Sequence, residues 1–118
     1  MIKLAIVGSR GFNDYKKLNE VVLPAKNKIS LIISGGAKGA DSLAERFAKE
    51  NNIPTQIILP DWETHGKSAG FLRNKEIVEA ADIVLAFWDG KSKGTQHSFK
   101  LAEKLGKKIF IIKVWVTV

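Results

Sequence analysis

Short apolar runs alternate regularly with amphipathic segments of helical period along the whole chain. Ile2 to Val7, Ile29 to Ile33, Thr55 to Leu59, Asp82 to Phe87 and Lys108 to Ile112, extendable to Val116, read as five strands. Between the first two, Leu18, Val21, Val22 and Ala25 fall at i, i+3, i+4 and i+7, the spacing of one helix face. Asp14 caps that helix, and Pro24 ends or distorts it. Ala40, Leu43, Ala44, Phe47 and Ala48 form a second stripe, and Lys67 to Ala80 a third helix. Ser98, Leu101, Ala102 and Leu105 mark a fourth, with Gly106 as its stop. The strands are continuous apolar runs, as expected when helices cover both faces of a sheet. With right-handed crossovers, this βαβαβαβαβ order predicts a doubly wound, mainly parallel five-stranded sheet.

A length of 118 residues is one domain, spanning 1–118. Hydrophobic residues at 45% and charged residues at 26% exclude disordered, collagen-like and disulfide-scaffold classes. The longest apolar stretches, six to eight residues, are too short for a membrane span. The opening MIKLAIVGSR runs straight into a strand and lacks a signal-peptide pattern, so the cytoplasm is the expected location. With no cysteine, two isolated histidines (His65 and His97) and no metal-type spacing, neither a metal nor a cofactor is expected.

In a doubly wound sheet the ligand lies beyond the carboxyl ends of the strands. Eight of the ten glycines fall in the segments after the first four strands, namely Gly8, Gly11, Gly35, Gly36, Gly39, Gly66, Gly90 and Gly94. Glycine lets backbone amides approach a ligand, and a helix N-terminus adds unpaired N–H groups with partial positive charge. Together they suit phosphate. Two loops qualify: Gly35 to Gly39, and Gly90 to Thr95. Lys38, Lys91 and Lys93 supply charge there, and Ser34, Ser92 and Thr95 hydroxyls. Tight turns need glycine in any case, which would explain one loop. Two such loops on one rim favour anion binding. Neither fits a Walker loop, and no dinucleotide fingerprint follows the first strand.

The net charge of +7 calls for an anionic partner, but 16 of the 19 basic residues are lysines scattered along the chain. Of the three arginines, Arg10 and Arg73 lie on the ligand rim and Arg46 elsewhere. Arginine grips phosphate bidentately, although a solvated surface arginine is the plain alternative. On the third helix Lys67, Gly70 and Asn74, with Arg73 beside Gly70, form an open polar stripe. Asp41 is either a ribose-binding or general-base carboxylate, or simply an acid favoured at a helix start; Ser42 to Glu45 also fits a capping box that would start the helix later. Trp62 and Trp88 follow strands and either stack on a base or cover the end of the core, while Trp115 reads as core or a subunit contact.

These loops carry a family resemblance. Gly8-Ser9-Arg10 with Phe12, Ser34-Gly35-Gly36-Ala37-Lys38-Gly39-Ala40-Asp41, Asp61-Trp62, Gly66-Lys67-Ser68-Ala69-Gly70 with Arg73-Asn74, and Ala86 through Thr95 resemble the SLOG superfamily, in its compact YspA-type bacterial and phage family. The superfamily includes the LOG phosphoribohydrolases, the DNA-processing protein DprA and sensor domains for nucleotide-derived signals. The resemblance implies a Rossmann-like sheet that binds a nucleotide or ADP-ribose-like ligand. Phosphate would sit on Gly35 to Gly39 and Gly94-Thr95, with Arg10, Asp41, Arg73 and Asn74 lining the ligand. The LOG enzymes follow their glycine-threonine pair with catalytic glutamates; here Gly94-Thr95-Gln96 leads to His97 and Ser98.

The expected function is therefore a sensor or sequestering module. Its ligand-binding residues are Gly8, Ser9, Arg10, Ser34, Gly35, Gly36, Lys38, Gly39, Asp41, Trp62, Gly70, Arg73, Asn74, Trp88, Gly90, Ser92, Gly94 and Thr95. The first alternative is an N-glycosidic hydrolase using Asp41, with Asp61, Glu63 and Asp89 as further carboxylates, since such cleavage needs a placed acid or base. The second is DprA-like nucleic-acid binding, disfavoured because helix two carries Asp41, Glu45 and Glu50 and no basic track is visible. Self-association is expected through the apolar end strand, Ile109 to Val116.

Overall fold

The computed structural model describes residues Met1 to Trp115. Five strands, β1 (Ile2–Gly8), β2 (Ile29–Ser34), β3 (Thr55–Ile57), β4 (Ile83–Trp88) and β5 (Lys108–Lys113), form one parallel sheet in the order β3-β2-β1-β4-β5. The helices are α1 (Tyr15–Val22), α2 (Ala40–Glu50), α3 (Trp62–His65), α4 (Ala69–Ala80) and α5 (Lys93–Lys104).

The strands read as continuous apolar runs because both faces are buried. Leu4 and Ile6 of β1 point into one core with Leu18 and Val22 of α1 and Ala44 and Phe47 of α2. Ala5 and Val7 point into the other, with Ile77 and Val78 of α4 and Phe99 and Ala102 of α5. Phe47 is fully buried, and truncating such a ring to alanine costs about 3–5 kcal/mol.

Several boundaries depart from expectation. The strand expected over Thr55 to Leu59 pairs only as far as Ile57, opposite Ser34 at the end of β2. Past Ile58, whose amide still reaches the Ser34 carbonyl, β2 offers no further partner, and Pro60 has no N–H to give. The helix expected from Lys67 to Ala80 is split. Asp61 caps the four-residue α3, Gly66 breaks the chain with φ 54°, and a 3-10 turn over Gly66–Ser68 leads into α4. The capping box at Ser42 to Glu45 does not form: α2 starts at Ala40, and Glu45 instead accepts the Ser34 hydroxyl at 2.9 Å. Pro24 acts as expected, with α1 giving way to a 3-10 segment over Leu23–Lys28. Trp115 is 89% exposed and not core, and the proposed extension of β5 to Val116 lies outside the described residues.

Connections from β1 lead out through β2 to β3, then cross back to β4 beside β1. The crevice of a doubly wound sheet opens at this reversal, past the carboxyl ends of β1 and β4.

Candidate functional site

A pocket of about 430 Å³ occupies that crevice. Its walls are the β1 loop (Gly8 to Gly11), Ala37 and Asp41, Arg73, Asn74 and Ile77 of α4, and Asp89, Ser92, Gly94, Thr95 and Ser98 at the start of α5. Ser9 is the hub: its carbonyl accepts the amides of Phe12 and Ala40, at 3.1 and 3.3 Å, and its hydroxyl accepts the Asp89 amide at 3.3 Å.

The loop between β2 and α2 is tied to itself. The Gly36 amide donates to the Ser34 hydroxyl at 3.3 Å, and the Ala37 amide to Asp41 Oδ2 at 3.1 Å. Gly39 has φ 77°, and a Cβ there would fall on the backbone carbonyls of Ser9 and Arg10. Glycine at this position therefore lets α2 dock against the β1 loop.

The loop between β4 and α5 is folded by one carboxylate and one serine. Asp89 Oδ1 accepts the amides of Lys91 and Ser92, at 2.9 and 2.8 Å, folding the turn. These amide bonds, Ser92 first, hold its carboxyl below the usual range. Ser92 is the N-cap of α5, its hydroxyl accepting the Thr95 amide and lying 2.9 Å from the Thr95 hydroxyl. The Trp88 indole donates to the Ser92 carbonyl at 3.1 Å and packs edge-on against Phe99. Trp88 braces this loop from beneath. Nothing lies within 4 Å of where a Gly94 side chain would begin, so the helix mouth is open.

The second turn of α4 joins the two loops. Arg73 Nη1 donates to the Gly35 carbonyl at 2.6 Å, and Arg73 Nε to Asn74 Oδ1 at 3.1 Å. The Asn74 amide reaches Gly94 O at 3.5 Å and His97 Nδ1 at 3.4 Å. Phe71 meets the His97 ring edge-on, so His97 is a packed neighbour of the pocket. Burial pushes the Asp41 carboxyl above its ordinary value, against the pull of the Ala37 amide and the Arg73 charge. Burial lowers the Arg73 guanidinium, Asp41 opposes this and Arg10 adds to it. Among the described residues the only ion pair is Arg46–Glu50, so two arginines face one pocket without a salt-bridge partner. Guanidiniums so placed are able to pair with an anion.

Of the candidate residues, Gly8, Ser9, Arg10, Asp41, Arg73, Asn74, Ser92, Gly94 and Thr95 line this pocket. Gly35, Gly36, Lys38 and Trp62 line an adjoining one of about 350 Å³ that shares Arg10, Ala37 and Arg73 with it. Ser34, Gly39, Gly70, Trp88 and Gly90 line neither: Ser34 and Gly39 support the first loop, Trp88 braces the second, and Gly70 lies behind Trp62. Gly90 takes φ 85° in the turn after β4. Of the further carboxylates, Asp61 caps α3 and Glu63 is exposed. Ile77 and Ser98 are further wall residues, and Leu59 and Pro60 line the adjoining pocket, none of them marked by a sequence motif. No group of three or more His, Asp or Glu among the described residues is arranged to hold a metal.

A model of the YspA, cpYpsA-related SLOG family matches residues 2–65. The chain is also 37% identical over 115 residues to the Gene 61 protein of Mycobacterium phage D29, covering 90% of this chain and 92% of that protein. The chain belongs to this SLOG family. Solved structures extend the likeness to the fold. DprA from Streptococcus pneumoniae superposes with a TM-score of 0.80 at 22% identity, over 95% of this chain and 50% of that one. The protein TM1055 gives 0.70 at 23% identity, over 92% and 72%. DprA from Helicobacter pylori, solved for its single-stranded DNA binding mode, gives 0.71 at 26% identity, over 93% and 64%. This SLOG chain thus spans half to about two thirds of the DprA chains it matches. No helix among its described residues is long and apolar enough to cross a membrane.

Proposed function

We propose that this protein binds a nucleotide or nucleotide-derived, ADP-ribose-like ligand at the carboxyl edge of its sheet and serves as a sensor or sequestering module. The observation that carries this reading is the 430 Å³ pocket in which Arg10 and Arg73, neither in a salt bridge among the described residues, meet the open mouth of α5. Phosphate belongs with the guanidiniums, the Ser92 and Thr95 hydroxyls and the first-turn amides. Asp41, a carboxylate in the same pocket, suits the ribose hydroxyls, which donate where phosphate cannot.

Binding is favoured over cleavage because glycosidic hydrolysis ordinarily uses two carboxyl groups. The two that line the pocket each hold their own loop: Asp89 Oδ1 accepts the Lys91 and Ser92 amides, and Asp41 Oδ2 the Ala37 amide. The pure protein, incubated with nucleotides and NAD derivatives and followed by mass spectrometry, is expected to retain intact ligand. Release of free base would establish the hydrolase reading instead.

The second reading is single-stranded DNA binding, favoured by the fold shared with DprA. It predicts affinity that grows with oligonucleotide length and falls steeply with salt; a single-nucleotide site predicts neither a length dependence nor a steep slope. Self-association through β5, where Phe110 and Ile111 are each about half exposed, belongs to the same proposal and is read by sedimentation velocity.

A further inference from the structure

The adjoining pocket differs in chemistry from the one the phosphate reading uses. Leu59, Pro60 and Trp62 form its apolar side, and Leu59 and Trp62 are 66% and 55% exposed. Large apolar groups left uncovered beside a charged pocket ask for an occupant. The two pockets meet at Arg10, Ala37 and Arg73, so a ligand anchored in the first extends into the second past two guanidiniums.

Trp62 is a prepared surface. Asp61 Oδ1 accepts the Thr64 amide at 3.1 Å and starts α3 with Trp62 as its first residue. Trp62 Cη2 lies 3.7 Å from where a Cβ on Gly70 would stand, so the indole rests on bare helix backbone. Across the pocket, a Cβ on Gly36 would come 2.6 Å from Leu59 Cδ2, so the missing side chain lets Leu59 settle on the loop. The polar side chains of the pocket are all cationic: Arg10, Lys38 and Arg73. An aliphatic chain would satisfy Leu59 and Trp62 but leave those three donors facing hydrocarbon. A flat heteroaromatic ring satisfies both, stacking on indole or guanidinium while its ring nitrogens and oxygens accept from lysine and arginine.

We infer that the pocket of Leu59, Pro60 and Trp62 is a nucleobase subsite, with Trp62 as the stacking face and the Arg10–Arg73 neck holding the sugar-phosphate. This rests on the nucleotide reading above and adds that the base, as well as the phosphate, is bound. One base subsite beside one phosphate pocket fits a mononucleotide unit.

The test is calorimetric titration of AMP, GMP, CMP and UMP against ribose 5-phosphate, on the natural protein and on Trp62→Ala and Trp62→Phe. At least one nucleotide is expected to bind tenfold or more above ribose 5-phosphate, the range of base–aromatic stacking. That preference falls toward unity in Trp62→Ala and survives in Trp62→Phe, with thermal melts confirming that both variants fold. Equal affinity for nucleotides and ribose 5-phosphate overturns the base subsite and leaves the phosphate pocket standing. A preference that persists in Trp62→Ala overturns the assignment to Trp62. Failure of every probe to bind overturns both readings together.

Discussion

The two glycine-rich loops have similar composition and opposite uses. Gly35 to Gly39 turns its polar groups inward: Ser34 and Asp41 take up the amides of Gly36 and Ala37, and Gly39 presses on the β1 loop. Asp89 to Thr95 uses one carboxylate and one serine to fold its turn, and leaves Gly94 at an open helix mouth. Glycine serves close packing of protein on protein at Gly39 in the first loop and leaves the helix mouth uncovered at Gly94 in the second. The same residue type thus marks backbone pressed on backbone at Gly39 and open space at Gly94, and which of the two it is depends on what the fold brings there.

The strongest way to break this comparison is at its glycines. Gly39→Val combines a left-handed φ with a collision against backbone, and should lower stability by about 3 kcal/mol or more. Gly94→Val meets open space and should change stability by under about 1 kcal/mol while weakening ligand binding. Similar melting temperatures for the two variants would erase the distinction. Next in size is Arg73→Ala, which removes the guanidinium linking the first loop to the pocket. Nucleotide affinity should fall about tenfold or more, as loss of a charged hydrogen bond predicts. Calorimetry showing undiminished affinity would remove Arg73 from the site.

Ser92→Ala strips the N-cap of α5 and should cost about 1 kcal/mol by denaturant unfolding. The smallest effect concerns Asp41, whose carboxyl is raised above its ordinary value mainly by burial. A raised acid stabilises the fold fully below its unfolded pKa and loses that contribution as pH rises through the folded value. Asp41→Asn keeps an acceptor for the Ala37 amide and has no charge to bury. Its stability relative to the natural protein should therefore increase from acid toward neutral pH. A constant difference across that range would show that Asp41 titrates as an exposed group.

Much of the fold is visible in the residues themselves. Leu4 and Ile6 against Ala5 and Val7 announce two buried faces, and the stripes through Leu18 and Phe47 announce the helices that cover them. Pro24, Asp14 and Gly106 act where their backbone chemistry places them. The segment from Leu59 to Ser68 is not legible in the sequence, because a four-residue helix is too short for a periodic pattern and Gly66 resets the chain direction. Arg10, Arg73, Ser92 and Thr95, which stand after strands or near helix starts in the sequence, line the crevice. Ile77 and Ser98 carry no such mark, since each sits inside a helix where only packing shows that it faces the crevice.

By itself the sequence determined a parallel, doubly covered sheet and the loops at its carboxyl edge, because apolar period and strand order follow from local chemistry and chain handedness. Only the tertiary structure decided that the first glycine loop is closed by its own side chains and the second is open. It alone placed Arg73 between them, 38 residues along the chain from the carbonyl it holds. An amide is free or satisfied according to neighbours that arrive from other strands, and no local pattern records who those neighbours are.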